Sequence, residues 1–224
     1  MKERSILFNT EMVKAILEGR KTMTRRVIKP QPHEGCGHIR VEYFFPTKVD
    51  RHGEEYPGAK IFGAYSDDGE WGCKCPYAVG DYLYLKEPHY RYGSWVRNGL
   101  TKTGSQKWQF EAYIAWSDDF NIRYMDNPPD IITPNSCRGF GWYKRSPLFM
   151  PKKYARHWYV ITGVRAERVQ DISWADIKEE GIESDHMDEH KDMCYFHSLW
   201  NTVSNCKWES NPWVWVIEFK VVSK

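Results

Sequence analysis

The chain has 224 residues, of which 41% are apolar, 16% aromatic and 28% charged. That composition supplies a core and excludes a disordered polymer. A net charge of +2 and a pI near 8.1 exclude a uniformly basic binder, so any contact with nucleic acid has to come from local clusters. No run approaches the roughly 20 apolar residues of a membrane helix, and MKERSILFNTEM carries no apolar leader. A cytoplasmic protein is therefore expected.

Ser5 to Phe8 is a short apolar run suited to a strand. Thr10 follows as the predicted N-cap of a helix with Met12, Val13, Ile16 and Leu17 on one face, and Gly19 is placed to end it. The basic, threonine-containing segment GRKTMTRRVIK comes next. Pro30 and Pro32 forbid further helix, so Arg20 to Lys29 is expected to be a loop or extended segment held between fixed points. His33 to Trp71 is rich in Gly, Pro, Asp and His, which predicts an irregular insertion with hairpins. Leu83 and Leu85 alternate with polar positions, as in a half-buried strand. Tyr90 to Tyr143 shows no clear period and reads as a second insertion, with strand character from Phe110 to Trp116.

A further strand is expected after His157. Ser173 and Asp176 then have capping-box spacing, and Gly181 is the natural stop of that helix. A short helix is predicted near Tyr195 to Trp200. The alternation of Trp213, Trp215, Ile217, Phe219 and Val221 predicts a closing strand. Several strands, long connections and few helices point to a small curled β-barrel with helices at its rim.

Charge is unevenly placed, basic at Lys14 to Lys29 and Lys144 to Arg156 and mostly acidic from Asp176 to Asp192. The first cluster reads as a phosphate-binding segment or as a catalytic one, since Lys21 lies three residues from the Thr24 hydroxyl. GRKT is not the end of a P-loop: Arg20 separates Gly19 from Lys21, and a helix precedes it where a strand is required. His52-Gly53-Glu54 with Cys73-Lys74-Cys75-Pro76 has the wrong order and spacing for a nucleic-acid deaminase. Six cysteines without a secretion signal read as thiols. Cys36, His38, Cys73 and Cys75 form the one dense arrangement, but they lack regular zinc spacing, and no metal or cofactor is expected.

The ordered series GRKTMTRR, VGD (Val79 to Asp81), EEGI (Glu179 to Ile182) and IEF (Ile217 to Phe219) resembles an ASCH domain, a branch of the PUA-like superfamily. SPLFMPKKYARHW and NPWVWVIEF are similar to segments of the longer ASCH proteins of bacteriophages and prophages. The resemblance spans about half the chain. It implies an α+β fold built on a PUA-like β-barrel, one domain over 1–224, with insertions at about 33–75 and 90–145. It also implies recognition of RNA or a modified nucleoside and no membrane partner. Small bacterial proteins of this family hydrolyse N4-acetylcytidine with a lysine, a threonine and a glutamate, which fall here on Lys21, Thr24 and Glu180.

Amide hydrolysis needs a nucleophile, a proton acceptor and a donor to the leaving amine. Arg20, Arg25 and Arg26 would favour a neutral Lys21, while Glu180 would oppose it. Glu180 reads either as a solvated residue at a helix end or, since a carboxylate at a helix C-terminus is unfavourable by itself, as one with a partner nearby. Nucleic-acid contacts are expected from Arg20, Arg25 and Arg26, and from Lys152, Lys153 and Arg156 as a second wall. Trp95, Trp108 and Trp142 read as packing residues or as base-stacking platforms. The alternative of a different class is a non-catalytic phage accessory protein that binds a host protein.

Overall fold

The computed structural model describes residues 1–113, 121–182 and 188–222. Over these the chain is mostly β, with 41% strand, 20% helix and three α-helices, in keeping with a small α+β fold. Strand β1 (Glu3–Leu7) leads into helix α1 (Thr10–Leu17). The cap is Asn9, one residue before the expected Thr10, since its Oδ1 accepts from Met12 N at 2.8 Å. Gly19 has φ +75° and turns the chain out of the helix, as predicted. Of the two alternatives for the basic segment, the extended one holds: it contains strand β2 (Met23–Val27).

The first insertion holds five short strands: β3 (Ile39–Phe44), β4 (Thr47–Val49), β5 (Glu55–Pro57), β6 (Ile61–Ser66) and β7 (Gly72–Lys74). They form a three-stranded sheet, β3-β6-β7, and a β4–β5 hairpin. In β8 (Tyr82–Lys86), Leu83 and Leu85 are buried in the expected alternation. The segment without a period in sequence contains β9 (His89–Leu100), β10 (Gln106–Ala112), β11 (Ile122–Tyr124) and β12 (Gly141–Arg145). The expected strand at Phe110 to Trp116 is met by β10 as far as Ala112, and its end lies outside the described residues. The chain finishes with β13 (Trp158–Arg168), α2 (Trp174–Glu179), α3 (Glu189–Val203) and β14 (Trp213–Val221). Helix α3 is thus longer than the short helix predicted at Tyr195 to Trp200.

Two compact units arise from this chain. The first comprises Met1–Arg4, Ala15–Leu83 and Trp158–Lys224, and the second Ser5–Lys14 and Tyr84–His157. In the first unit the sheet runs β1-β8-β13-β14-β2, and β1 and β8 continue along the chain into the second. This path is open, and among the described residues no pairing of β1 with β2 closes it into a barrel. Strand β14 is antiparallel to both β13 and β2. Its alternation divides the core. Val214 and Val216 pack with Met23, Val169, Ile177, Phe196 and Trp200 beneath α2 and α3. Trp215, Ile217 and Phe219 belong to the opposite face, where Phe219 meets Tyr159 at 5.5 Å between ring centroids.

In the second unit β9 is central, with β10 and β11 along one edge and β12 along the other. Tyr143 and His89 are fully buried there, and Ile122, Met150 and Tyr154 form a small apolar cluster.

Candidate functional site

The two ends of the recognised motif meet in the first unit. Ser173 Oγ accepts from Asp176 N at 3.1 Å and caps α2, as its spacing predicts. Glu180 closes the helix in αR geometry, with its N–H donating to Asp176 O, and Gly181 at φ +85° turns the chain away. A Cβ on Gly181 would lie 2.8 Å from the Lys21 Cβ and 2.9 Å from the Ala15 Cβ. Glycine therefore permits the close approach that sets Glu180 against Lys21.

Lys21 and Glu180, 159 residues apart in sequence, form a short isolated bridge and a buried ion pair. Lys21 Nζ donates to the Glu180 carbonyl at 2.9 Å and also to its Oε2. Lys21 is 2% exposed and Glu180 9%. The partner inferred for the helix-end glutamate is thus Lys21, joined by Arg25, whose Nη1 donates to Glu180 Oε1 at 3.1 Å.

Strand register extends the cluster. Val216 of β14 lies between Arg25 of β2 and Arg165 of β13, so both arginines share the face that packs under α2. Arg25 donates to Glu167 at 2.9 and 2.6 Å and to Asp176 at 2.6 Å; Arg165 donates to the same Asp176 at 2.6 Å and also reaches Glu167 and Glu218. Three cations (Lys21, Arg25, Arg165) therefore meet four carboxylates (Glu167, Asp176, Glu180, Glu218). Burial depresses the Lys21 pKa and outweighs the raising effect of Glu180, with Arg26 and Arg25 adding to the depression. Burial also opposes the Arg25 charge, but Glu180, Glu167 and Asp176 together raise its pKa.

Thr24 is not brought to this pair. It is 5% exposed and pairs with Ile217, so alternation assigns it to the face opposite Arg25. Both Lys21 and Thr24 are buried, Thr24 through the pairing of β2 with β14 and Lys21 at its bridge to Glu180. Arg25, expected to contact nucleic acid, is 6% exposed and held by internal carboxylates. Arg20 is half-buried, bound to Glu18 and donating to Gly181 O at 3.0 Å. Arg26 is half-buried. The carboxylate partners Glu167 and Asp176 were not singled out from sequence. The signal for them lies in opposite charges two residues apart on β13, Arg165 and Glu167, which alternation places on one face.

The second basic group occupies the second unit. A 3-10 turn, Lys152–Tyr154, leaves Lys152 and Lys153 exposed. Lys153, Arg156, Arg123, Tyr124 and Tyr154 line a cleft of about 360 Å³. Arg156 stacks 3.7 Å from the Tyr124 ring centroid and makes paired contacts with Glu87, at 3.0 and 2.9 Å, and with Asp126, at 2.9 and 3.2 Å. Burial opposes its charge, but the two carboxylates raise its pKa. Lys153 Nζ sits 4.8 Å from the Tyr154 centroid. The three tryptophans are engaged with neighbours: Trp95 with Phe110, Trp142 with Tyr92, and Trp108 with Arg97 and Arg138.

Cys36, His38, Cys73 and Cys75 do not come together as a ligand set among the described residues. Burial pushes the Cys75 thiol up to about 12, away from the thiolate a metal needs. His33, Asp68 and Glu70 do cluster, but all are exposed, and His33 and Asp68 form a surface pair at 3.1 Å.

No family model, curated protein or solved structure matches this chain.

Proposed function

We propose that the protein is an ASCH-type, PUA-like module that recognises RNA or a modified nucleoside. The observation that supports this most is the cleft of the second unit, where Lys153, Arg123 and Arg156 stand beside the rings of Tyr124 and Tyr154. Cations gathered along a cleft are the phosphate-contacting component of single-strand recognition; the rings of Tyr124 and Tyr154 hold those cations in place. The test is titration of a labelled single-stranded RNA with wild-type protein and with a Lys152→Ala, Lys153→Ala double variant. Wild type should bind at low salt and the double variant about tenfold more weakly or worse. RNA binding that the double variant retains in full would remove the cleft from the interface.

A second reading, an amidohydrolase acting on N4-acetylcytidine-like substrates, is favoured by the Lys21–Glu180 pair. A lysine with a depressed pKa is a competent proton acceptor. With Thr24 on the other face, water is the nucleophile in this reading. Lys21 in its neutral form takes the water proton as the C–O bond forms and hands it to the Glu180 carboxylate. That carboxylate delivers it to the departing amine nitrogen as the C–N bond breaks, giving acetate and cytidine. Lys21→Arg separates the roles, since arginine keeps the charge and cannot accept the proton. Acetate release by wild type and none by Lys21→Arg is expected; equal release by both rules the reaction out.

A further inference from the structure

On β9 the side chains of His89, Arg91 and Trp95 share one face. The register sets Arg145 of β12 opposite His89, Tyr143 opposite Arg91, and Phe110 of β10 opposite Trp95. Arg91 and Arg145 are therefore diagonal neighbours on a common face, roughly 7–8 Å apart. Among the described residues neither guanidinium has a hydrogen-bond or carboxylate partner, and the Arg91 Nε is buried without one. Both lie against aromatic rings. Arg145 lies 4.9 Å from the Trp95 centroid, 4.4 Å from Phe110 and 4.9 Å from Phe149, and Arg91 lies 4.6 Å from Tyr154. Such contacts supply no acceptor oxygen, so the N–H groups keep their capacity to donate to one.

His89, 0% exposed, completes the group. Its Nδ1 is 3.1 Å from the Glu87 carbonyl, which can only accept, so the proton sits on Nδ1 and Nε2 is a bare acceptor. Nε2 is buried and has no partner. Burial first, with Arg91, Arg145 and Lys86 adding to it, holds this imidazole down at about 4, and it is neutral at pH 7. Burial and Arg91 likewise depress the pKa of Arg145. The nearest acid in sequence, Glu87, has both carboxylate oxygens bound by Arg156.

Two like charges without a counter-ion, next to an orphaned buried acceptor, oppose folding unless something binds there. We propose that Arg91, Arg145 and His89 form a binding site for a phosphate monoester, the class that includes a 5′-nucleotide and the phosphorylated end of an RNA. The guanidinium edges donate to the unprotonated oxygens. The protonated oxygen donates to His89 Nε2; a monoester has a second pKa of about 6, so it carries that proton readily. A phosphodiester has none to give. Tyr154, against which Arg91 lies, also lines the Lys153 cleft, so the site adjoins that cleft, but the proposal does not depend on the cleft's role.

Calorimetric titration of the full chain at low salt with inorganic phosphate, cytidine 5′-monophosphate and cytidine tests this. Both phosphate probes should bind and cytidine should not. Arg91→Gln and Arg145→Gln should each weaken binding about tenfold or more. Tighter binding of the nucleotide than of phosphate assigns the site to nucleotides. A 5′-phosphorylated RNA that outcompetes its 5′-hydroxyl counterpart assigns it to RNA ends. Because Arg145→Gln removes a like-charge neighbour, it should melt no lower than wild type. Should it unfold, Arg145→Lys, which keeps the charge and loses the fork, is decisive and should bind severalfold more weakly. Wild-type protein that binds neither phosphate probe, or an Arg145 variant with wild-type affinity, overturns the site.

Discussion

Lys21 is 2% exposed and bound to Glu180, and this makes it the most sensitive single residue in the first unit. Removing one member of a buried ion pair costs about 3–5 kcal/mol. Glu180 keeps its bond to Arg25 when Lys21 is replaced, so Lys21→Met is expected near the lower end of that range, measured by urea unfolding. The pH dependence has a definite sign. The folded-state pKa of Lys21 lies below the ordinary lysine value of 10.5, so between the two the unfolded chain binds more protons. Stability from this group therefore rises with pH through that window and is complete above 10.5. Tyr77, whose pKa burial raises above 10.0, acts in the opposite direction at the alkaline end. The quantity to measure is thus the difference between wild type and Lys21→Met from about pH 7 to 11. A difference that stays flat would show that Lys21 titrates as an exposed lysine does.

Helix α2 was legible in the sequence because each of its signals is local. Ser173 caps it, and Gly181 ends it by entering a conformation that other residues resist. The place of Glu180 at the C-terminus pointed to a partner nearby, and the structure supplies Lys21 and Arg25. Strand β2 was not legible as a buried element. Its composition is that of a surface loop, and its burial is decided by pairing with β14 at the far end of the chain. That pairing assigns Arg25 and Thr24 to opposite faces, which is why a triad read from spacing alone separates in three dimensions. Strand β9 escaped for another reason: aromatic residues occupy both of its faces, so no alternation of apolar and polar residues marks it. The turn after α2 gives a direct test of how Glu180 is delivered to Lys21. Ser173→Ala should cost about 1 kcal/mol through removal of the cap. Gly181→Ala should cost more, about 2–3 kcal/mol, because a positive φ adds to the crowding against Lys21 and Ala15. If Gly181→Ala were the milder of the two in thermal unfolding, the close approach would not control the fold at this point.

For the whole molecule, the net charge of +2 conceals two different uses of basic residues. In the first unit Arg25 and Arg165 neutralise half-buried carboxylates and hold β2 and β13 against α2. In the second unit Lys152 and Lys153 are exposed at the surface. Both clusters are plain along the sequence, but the division of labour between them depends on which carboxylates fold back onto which cation. The two uses separate in the salt dependence of RNA binding. For single-stranded RNA, each phosphate that the protein no longer neutralises reduces the slope of log K against log salt by about 0.7. Removal of Lys152 and Lys153 together should therefore lower the slope by about 1.4 and leave the melting temperature nearly unchanged, since exposed lysines contribute little to stability. Arg25→Ala should do the reverse. It leaves Glu167, Asp176 and Glu180 short of a partner, so the melting temperature should fall by several degrees, while the slope for the protein that remains folded stays at the wild-type value. A lowered slope in Arg25→Ala would mean that this guanidinium leaves its carboxylates to meet RNA, and the distinction between a structural and a binding cluster would then fail.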